Sequence, residues 1–157
     1  MFKFDNNPDT WQRLDYQIMR RGSIKPYTED ASLKKDISWL ESENYNITEF
    51  DCSIWETQEL MHFELSDKLE FPGYYGKNYG ALNECLNELE ITNNGLVVVF
   101  RNLDTLNINT AHTLMDIFIT SSRRHLLFNE RLIILIKVKS NKYPLHPLGS
   151  IELSWDW

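Results

Sequence analysis

The sequence predicts an α/β fold in which helices alternate with the strands of a parallel sheet. Two short runs, residues 96–100 and 132–136, are apolar and rich in β-branched residues, which is typical of strands buried inside a sheet. Between the runs, Ala111, Leu114 and Phe118 recur at the spacing of one helical face. A strand–helix–strand order joins parallel strands through right-handed crossovers, so we expect two layers and at least three parallel strands.

The N-terminal part predicts a β-hairpin followed by a helix. Residues 16–27 resemble two short strands about a turn at Arg21 and Gly22, and Pro26 confines the second strand to a sheet edge or to its own end. Residues 31–44 have helical periodicity, with Asp30 as the expected cap. The apolar face of this helix consists of Leu33, Ile37 and Leu40.

The middle of the chain predicts a strand and two helices. Residues 47–52 have the composition of a strand, and the capping-box pattern that follows predicts a helix over residues 53–70. Pro72 and Gly73 end that helix, and a second helix is expected over residues 79–89.

The remaining segments complete the predicted domain. Residues 110–125 predict a helix and residues 132–138 a strand, while residues 151–157 alternate apolar and polar side chains as a half-buried strand does. We therefore expect three parts. They are an N-terminal extension of hairpin and helix packed on the core (residues 1–45), a central domain (residues 46–138) and a C-terminal strand extension (residues 139–157).

Composition and charge exclude several classes of function. The chain of 157 residues has a net charge of −7, which disfavours direct binding to nucleic acid because that affinity comes from neutralising phosphates. Residues 49–90 contain ten acidic and two basic residues, so this stretch is a candidate docking surface for a basic partner. No apolar run approaches the length of a membrane span, and the first residues lack the apolar stretch of a signal peptide. We expect a cytoplasmic protein without a membrane partner.

The helix expected after Asn78 has two distinct faces. Asn78 is well placed as N-cap, and Gly76 suits a left-handed or tight backbone in the preceding turn. One face is apolar and is formed by Tyr79, Ala81, Leu82, Cys85, Leu86 and Leu89. The opposite face is formed by Gly80, Asn83, Glu84, Asn87 and Glu88. Periodicity alone favours an ordinary amphipathic helix with one packed face and one solvated face.

A longer motif resembles the barstar family of intracellular ribonuclease inhibitors. Residues 69–87 read LEFPGYYGKNYGALNECLN, which is similar to the family's Pro-x-Tyr-Tyr-Gly-x-Asn loop followed by Ala-Leu-x-x-Cys-Leu. The order of predicted elements from about residue 47 to residue 138 also matches that family. The resemblance implies a barstar-like fold, no enzymatic activity of its own, and inhibition by a helix that enters the active site of a nuclease.

The resemblance also implies which residues contact the partner. Glu84 occupies the position of the family's principal inhibitory aspartate, while Gly80 and Asn83 replace another aspartate and a tryptophan of the prototype. The implied partner is therefore a basic nuclease or toxin other than barnase. The implied role of this chain is that of an immunity protein in a toxin–antitoxin pair. The expected partner-binding residues are Tyr74, Gly76, Asn78, Tyr79, Gly80, Asn83, Glu84 and Asn87.

Two other functions stay open at the level of sequence. A non-inhibitory interaction module would fit the loss of acid at Gly80 and of the aromatic ring at Asn83. A small hydrolase could use Glu49 and Asp51, which share one strand face. The four histidines and two cysteines show no metal-ligand spacing, and no nucleotide-binding loop is present, so no metal, cofactor or catalytic residue is expected.

Overall fold

The fold is built on a four-stranded, all-parallel β-sheet. The computed structural model describes residues 1–149 and 151–157. The strands are β1 (Ile24–Tyr27), β2 (Tyr45–Asp51), β3 (Gly95–Arg101) and β4 (Leu132–Lys137), and their order across the sheet is β1-β4-β3-β2. The parallel α/β fold expected from the alternating strands and helices is confirmed.

Within the residues that the structure describes, six α-helices connect and cover these strands. They are α1 (Pro8–Trp11), α2 (Leu14–Arg20), α3 (Asp30–Ser42), α4 (Gln58–Lys68), α5 (Tyr79–Asn87) and α6 (Ile108–Leu126). Two short 3-10 turns, Cys52–Ile54 and Leu103–Thr105, follow β2 and β3. The predicted helices over residues 79–89 and 110–125 are confirmed with small shifts at their ends.

Helices lie on both faces of the sheet, so the molecule has three layers and the expectation of two layers is wrong. Along β3, Val98 and Phe100 face a core formed with α4, α5 and α6, whereas Val97 and Val99 face a second core formed with α2 and α3. Side chains of a strand alternate between faces, so an unbroken apolar run supplies both cores at once.

The predicted N-terminal hairpin is wrong in its first half. Residues 16–20 belong to α2, and the helical backbone directs the Ile18 side chain into the second core. The second half is β1, which pairs in parallel with β4 and places Pro26 opposite Ile136. Pro26 therefore lies in an edge strand, as its missing N–H requires.

The capping box over residues 53–56 does not open α4. Ser53 and Ile54 belong to the 3-10 turn Cys52–Ile54, in which Asp51 accepts a hydrogen bond from the Ser53 N–H at 3.0 Å, and Trp55 and Glu56 lie beyond it. The helix begins at Gln58, and its N-cap is Thr57, whose hydroxyl oxygen accepts from the Leu60 N–H at 3.1 Å.

The strand expected over residues 151–157 does not form. Ile151 makes an isolated antiparallel bridge with Leu148, and the residues after it have no regular structure. Trp155 packs against the first core, and the Trp157 ring lies 4.0 Å from the guanidinium carbon of Arg21. The tail is thus held by aromatic contacts rather than by a strand ladder.

A buried charge cluster joins α2 to the sheet. Asp15 is fully buried and receives two hydrogen bonds of 3.1 Å from Arg13 and one of 2.7 Å from the Tyr45 hydroxyl. The Arg131 guanidinium, also buried, lies 3.8 Å from Asp15 and donates to the Tyr45 oxygen at 3.2 Å. Opposite charges and hydrogen bonds thereby fix residues before β1 against the start of β2 and the start of β4.

Candidate functional site

The candidate site begins at the turn that leads into α5. The Asn78 side chain caps the helix, as predicted, by accepting a hydrogen bond from the Ala81 N–H at 2.8 Å. The expectation of a left-handed backbone at Gly76 is wrong, because Lys77 occupies that conformation with a φ of 53°. A Cβ on Gly76 would lie 3.3 Å from the Asn78 side-chain nitrogen, so a larger residue there would require a small shift of Asn78.

One tyrosine anchors the loop and its neighbour remains free. Tyr75 is buried, and a hydrogen bond of 2.5 Å joins its hydroxyl to Nδ1 of His62 on α4. Burial lowers the pKa of His62 and raises the pKa of the Tyr75 phenol, so both side chains are neutral near pH 7. Tyr74 points to solvent and is 76% exposed.

The C-terminal end of α5 is also fixed. The buried ring of His125 on α6 bridges the Leu86 carbonyl, 2.6 Å from Nε2, and the Glu130 carboxylate, 3.0 Å from Nδ1. Leu82, Cys85 and Leu86 bury the inner face of the helix in the first core. Helix α5 is consequently held at both ends and along one side, which makes it a rigid platform.

The outer face of α5 presents a carboxylate. Glu84 and Gly80 are exposed, while Asn83 and Asn87 are half-buried, so the structure brings these four predicted residues together on one surface. Tyr79 is set apart from them, because its ring packs 5.6 Å from the ring of His62. We use "the 74–87 surface" for the exposed parts of the loop and of α5. Its members are Tyr74, Gly76, Lys77, Asn78, Gly80, Asn83, Glu84 and Asn87.

Other candidate groups found in the sequence are occupied by structural contacts. Asp51 accepts hydrogen bonds from Ser53 and Asn102, which lower its pKa, and Glu49 lies 3.4 Å from Arg101. Burial, and then the charge of nearby carboxylates, raises the pKa of the thiols of Cys52 and Cys85. The Asp51 carboxylate is therefore ionised and both thiols are protonated near neutral pH.

Sequence reasoning missed two apolar side chains beside the loop. Leu60 and Phe63 on α4 are 46% and 60% exposed, opposite the buried Met61 and Leu65. The helical period of α4 could have indicated them, since it places Leu60 and Phe63 on the face opposite the buried Met61 and Leu65.

Within residues 1–149 and 151–157, no cluster of three or more histidine, cysteine, aspartate or glutamate side chains is arranged to hold a metal ion. Over the same residues, no helix is long and apolar enough to cross a membrane.

The fold and the site together define a class of protein: a small α/β domain that presents to solvent a rigid helix with one exposed carboxylate and an adjoining loop with an exposed tyrosine. A family model described as Barstar (barnase inhibitor) matches residues 45–134, and the chain belongs to the barstar family. This confirms the resemblance seen in residues 69–87.

Individual relatives add detail. A protein of Bacillus subtilis (strain 168) named "Putative ribonuclease inhibitor YrdF" is 53% identical over 32 residues, a match that covers 20% of this chain and 35% of that relative. A chain in the structure of Drosophila ORC bound to AT-rich DNA and Cdc6 is 15% identical, with a TM-score of 0.51 over 82% of this chain and 44% of that one. A chain in the structure of Drosophila ORC bound to DNA is 17% identical, with a TM-score of 0.47, and covers 78% of this chain and 34% of that one. At such identities the likeness to the first structure concerns the fold alone.

Proposed function

We propose that the chain inhibits a cationic ribonuclease, or a related nuclease toxin, by covering its active site with the 74–87 surface. The observation that carries this proposal is the exposed carboxylate of Glu84 on a helix fixed at both ends. A surface that is ordered before the partner arrives loses little conformational freedom on binding. Membership of the barstar family and the name of the Bacillus subtilis relative support a ribonuclease as the class of partner.

Charge favours the same class of partner. Residues 49–90 have a local net charge of −8, and Glu84, Glu88 and Glu90 are all exposed. Such a field accelerates the encounter with a positively charged cleft and opposes direct binding of nucleic acid. In the proposed complex, Glu84 pairs with an arginine or lysine that otherwise contacts RNA phosphates.

The composition of the surface argues for a target other than barnase. A Cβ built on Gly80 would lie 3.3 Å from the Asn78 side-chain oxygen, so a side chain there needs a small shift of Asn78, and the sequence supplies no carboxylate at this position. Asn83 is half-buried and offers an amide where the family prototype has an aromatic ring. We propose a cognate nuclease or toxin with a smaller set of charge contacts, and an immunity-type role in the cytoplasm.

Two observations bear on the alternatives. Gly80 and Asn83 favour, as a second candidate, an interaction module that binds its partner without inhibiting it. The hydrolase alternative is weakened because the Asp51 carboxylate accepts hydrogen bonds from Ser53 and Asn102 and its pKa is lowered. We propose that the chain is not an enzyme.

The test uses purified proteins. The chain is titrated into a panel of small cationic ribonucleases, barnase included, and cleavage of a fluorogenic RNA is followed alongside binding kinetics. We expect one-to-one inhibition of at least one nuclease, with association slowed by salt. Glu84→Gln should then accelerate dissociation roughly 30-fold to several-thousand-fold, because an unpaired buried charge costs about 2 to 5 kcal/mol.

A matched control is available in α3, on the other side of the sheet. Glu41→Gln removes the same charge from an exposed position of that helix and should leave dissociation unchanged. Binding without inhibition would select the interaction module. If no nuclease binds, or if Glu84→Gln and Glu41→Gln behave alike, the proposed mechanism is wrong.

A further inference from the structure

The outer face of α4 carries two large apolar side chains that the core does not use. Leu60 and Phe63 stand together on the solvent side of the helix, roughly opposite Met61 and Leu65. Large aromatic and aliphatic groups on a surface are common singly but mark interaction sites when they adjoin one another and a second functional surface.

A groove connects this face to the 74–87 surface. It has a volume of about 330 Å³, and we call it the α4 groove. Its lining residues are Thr57, Glu59, Leu60, Phe63 and Lys77. Lys77 belongs to the loop between Tyr75 and Asn78, so a protein that covers the 74–87 surface comes directly to the rim of the groove.

The charges around the groove are mostly negative. Glu56, Glu59 and Asp67 are exposed at the N-terminal side and on the outer face of α4, and Lys77 is the one cation among the lining residues. Apolar side chains surrounded by acidic residues are complementary to a partner surface on which an apolar side chain lies between basic residues.

We infer that the partner of the 74–87 surface also covers the α4 groove, with an apolar or aromatic side chain flanked by lysine or arginine at the edge of its catalytic cleft. This inference rests on the proposed function and extends its contact area. Pairing of Glu84 with a cation then slows dissociation, and burial of Phe63 prolongs the complex further, because buried aromatic groups contribute disproportionately to interface stability.

A second copy of the chain fits the groove less well. Two copies meeting through this face would bring Glu56, Glu59 and Asp67 of each chain together, and each chain has a net charge of −7. Like charges at close range oppose such association, whereas a cationic nuclease neutralises them.

The test substitutes Phe63 by alanine in the full chain and measures binding to the ribonuclease that the panel identifies. Alanine is the strongest helix former, so Phe63→Ala keeps α4 folded, as circular dichroism can verify. We expect dissociation to accelerate about tenfold with little change in the salt dependence of association. Leu60→Ala should act in the same direction.

Phe128→Ala is the matched control, because Phe128 is 68% exposed after the end of α6 and does not line the groove. If Phe63→Ala dissociates no faster than Phe128→Ala while Glu84→Gln remains impaired, the α4 groove is not part of the interface and the proposed function stands. If no ribonuclease binds the unmodified chain, both fail. A concentration-dependent dimer that Phe63→Ala dissolves, measured by analytical ultracentrifugation, would assign the groove to a second copy and overturn the inference.

Discussion

Replacing Asp15 by asparagine should unfold the chain far more readily than a typical substitution, although Asp15 lies before the region that the family model matches. The carboxylate is completely buried and faces two guanidinium groups and the Tyr45 hydroxyl. Asparagine keeps the size and one hydrogen-bond acceptor, so the variant isolates the loss of charge. The side chain of Arg131 would stay buried without its counter-charge.

The expected loss is large relative to the stability of a domain. Removing one member of a buried ion pair costs about 3 to 5 kcal/mol, whereas the whole free energy of unfolding of a domain is about 5 to 15 kcal/mol. At about 2 to 4 °C per kcal/mol for a chain of this size, the midpoint of thermal unfolding should fall by about 6 to 20 °C. Circular dichroism during heating and urea titration at pH 7 measure both quantities.

Asp67→Asn is the control for Asp15→Asn, because Asp67 is exposed on α4 and its substitution should stay within about 0.5 kcal/mol. If Asp15→Asn costs less than about 1 kcal/mol, the buried cluster does not hold the N-terminal helices to the sheet. A two-step transition in the variant would instead show that residues 1–20 unfold independently.

Three further predictions concern the loop, its histidine and the thiols. Asn78→Ala removes the cap from the Ala81 N–H and should cost about 0.5 to 2 kcal/mol in urea unfolding. Burial lowers the pKa of His62 in the folded state, so the unfolded chain binds more protons below about pH 6.5 and stability should fall as pH decreases through that range. His62→Gln should show a weaker fall between pH 7 and pH 5. Cys52 and Cys85 should resist iodoacetamide until urea unfolds the chain, as read by mass spectrometry.

Each of these predictions has a result that contradicts it. An unfolding midpoint of Asn78→Ala equal to that of the parent would mean that the cap contributes nothing. Parallel pH profiles for the parent and His62→Gln would remove His62 from the acid sensitivity. Alkylation of either thiol in the folded chain, at a rate similar to that of a free thiol, would show that the first core opens easily.

Local patterns were sufficient for the elements that form the candidate site. The capping residue Asn78, the helical period from Leu82 to Leu86 and the apolar runs of β3 and β4 depend on neighbours in the chain, so the sequence alone predicts them. The position of Glu84 on the exposed face follows from that period and is confirmed. Its contact with a nuclease remains a prediction.

Long-range packing decided the rest. The alternation of residues 151–157 predicts a strand, but a strand needs a neighbour in the sheet, and these residues pack through Trp155 and Trp157 instead. The third layer was signalled by the unbroken apolar run of β3, which is typical of a strand covered on both faces. The pairing of Asp15 with Arg131 joins positions far apart in the chain, and periodicity carries no information about such pairs.

Both edge strands of the sheet, β1 and β2, are protected against pairing with a strand of another molecule. On β1, Ser23 and Tyr27 direct their carbonyl oxygens to β4, so the backbone nitrogen of Pro26 lies on the outer side, where it has no hydrogen to donate. On β2, the Lys68 ammonium donates a hydrogen bond of 2.6 Å to the Glu49 carbonyl oxygen. Edge-to-edge pairing between the strands of two molecules, a first step toward fibrils, is thereby disfavoured at both edges of the sheet.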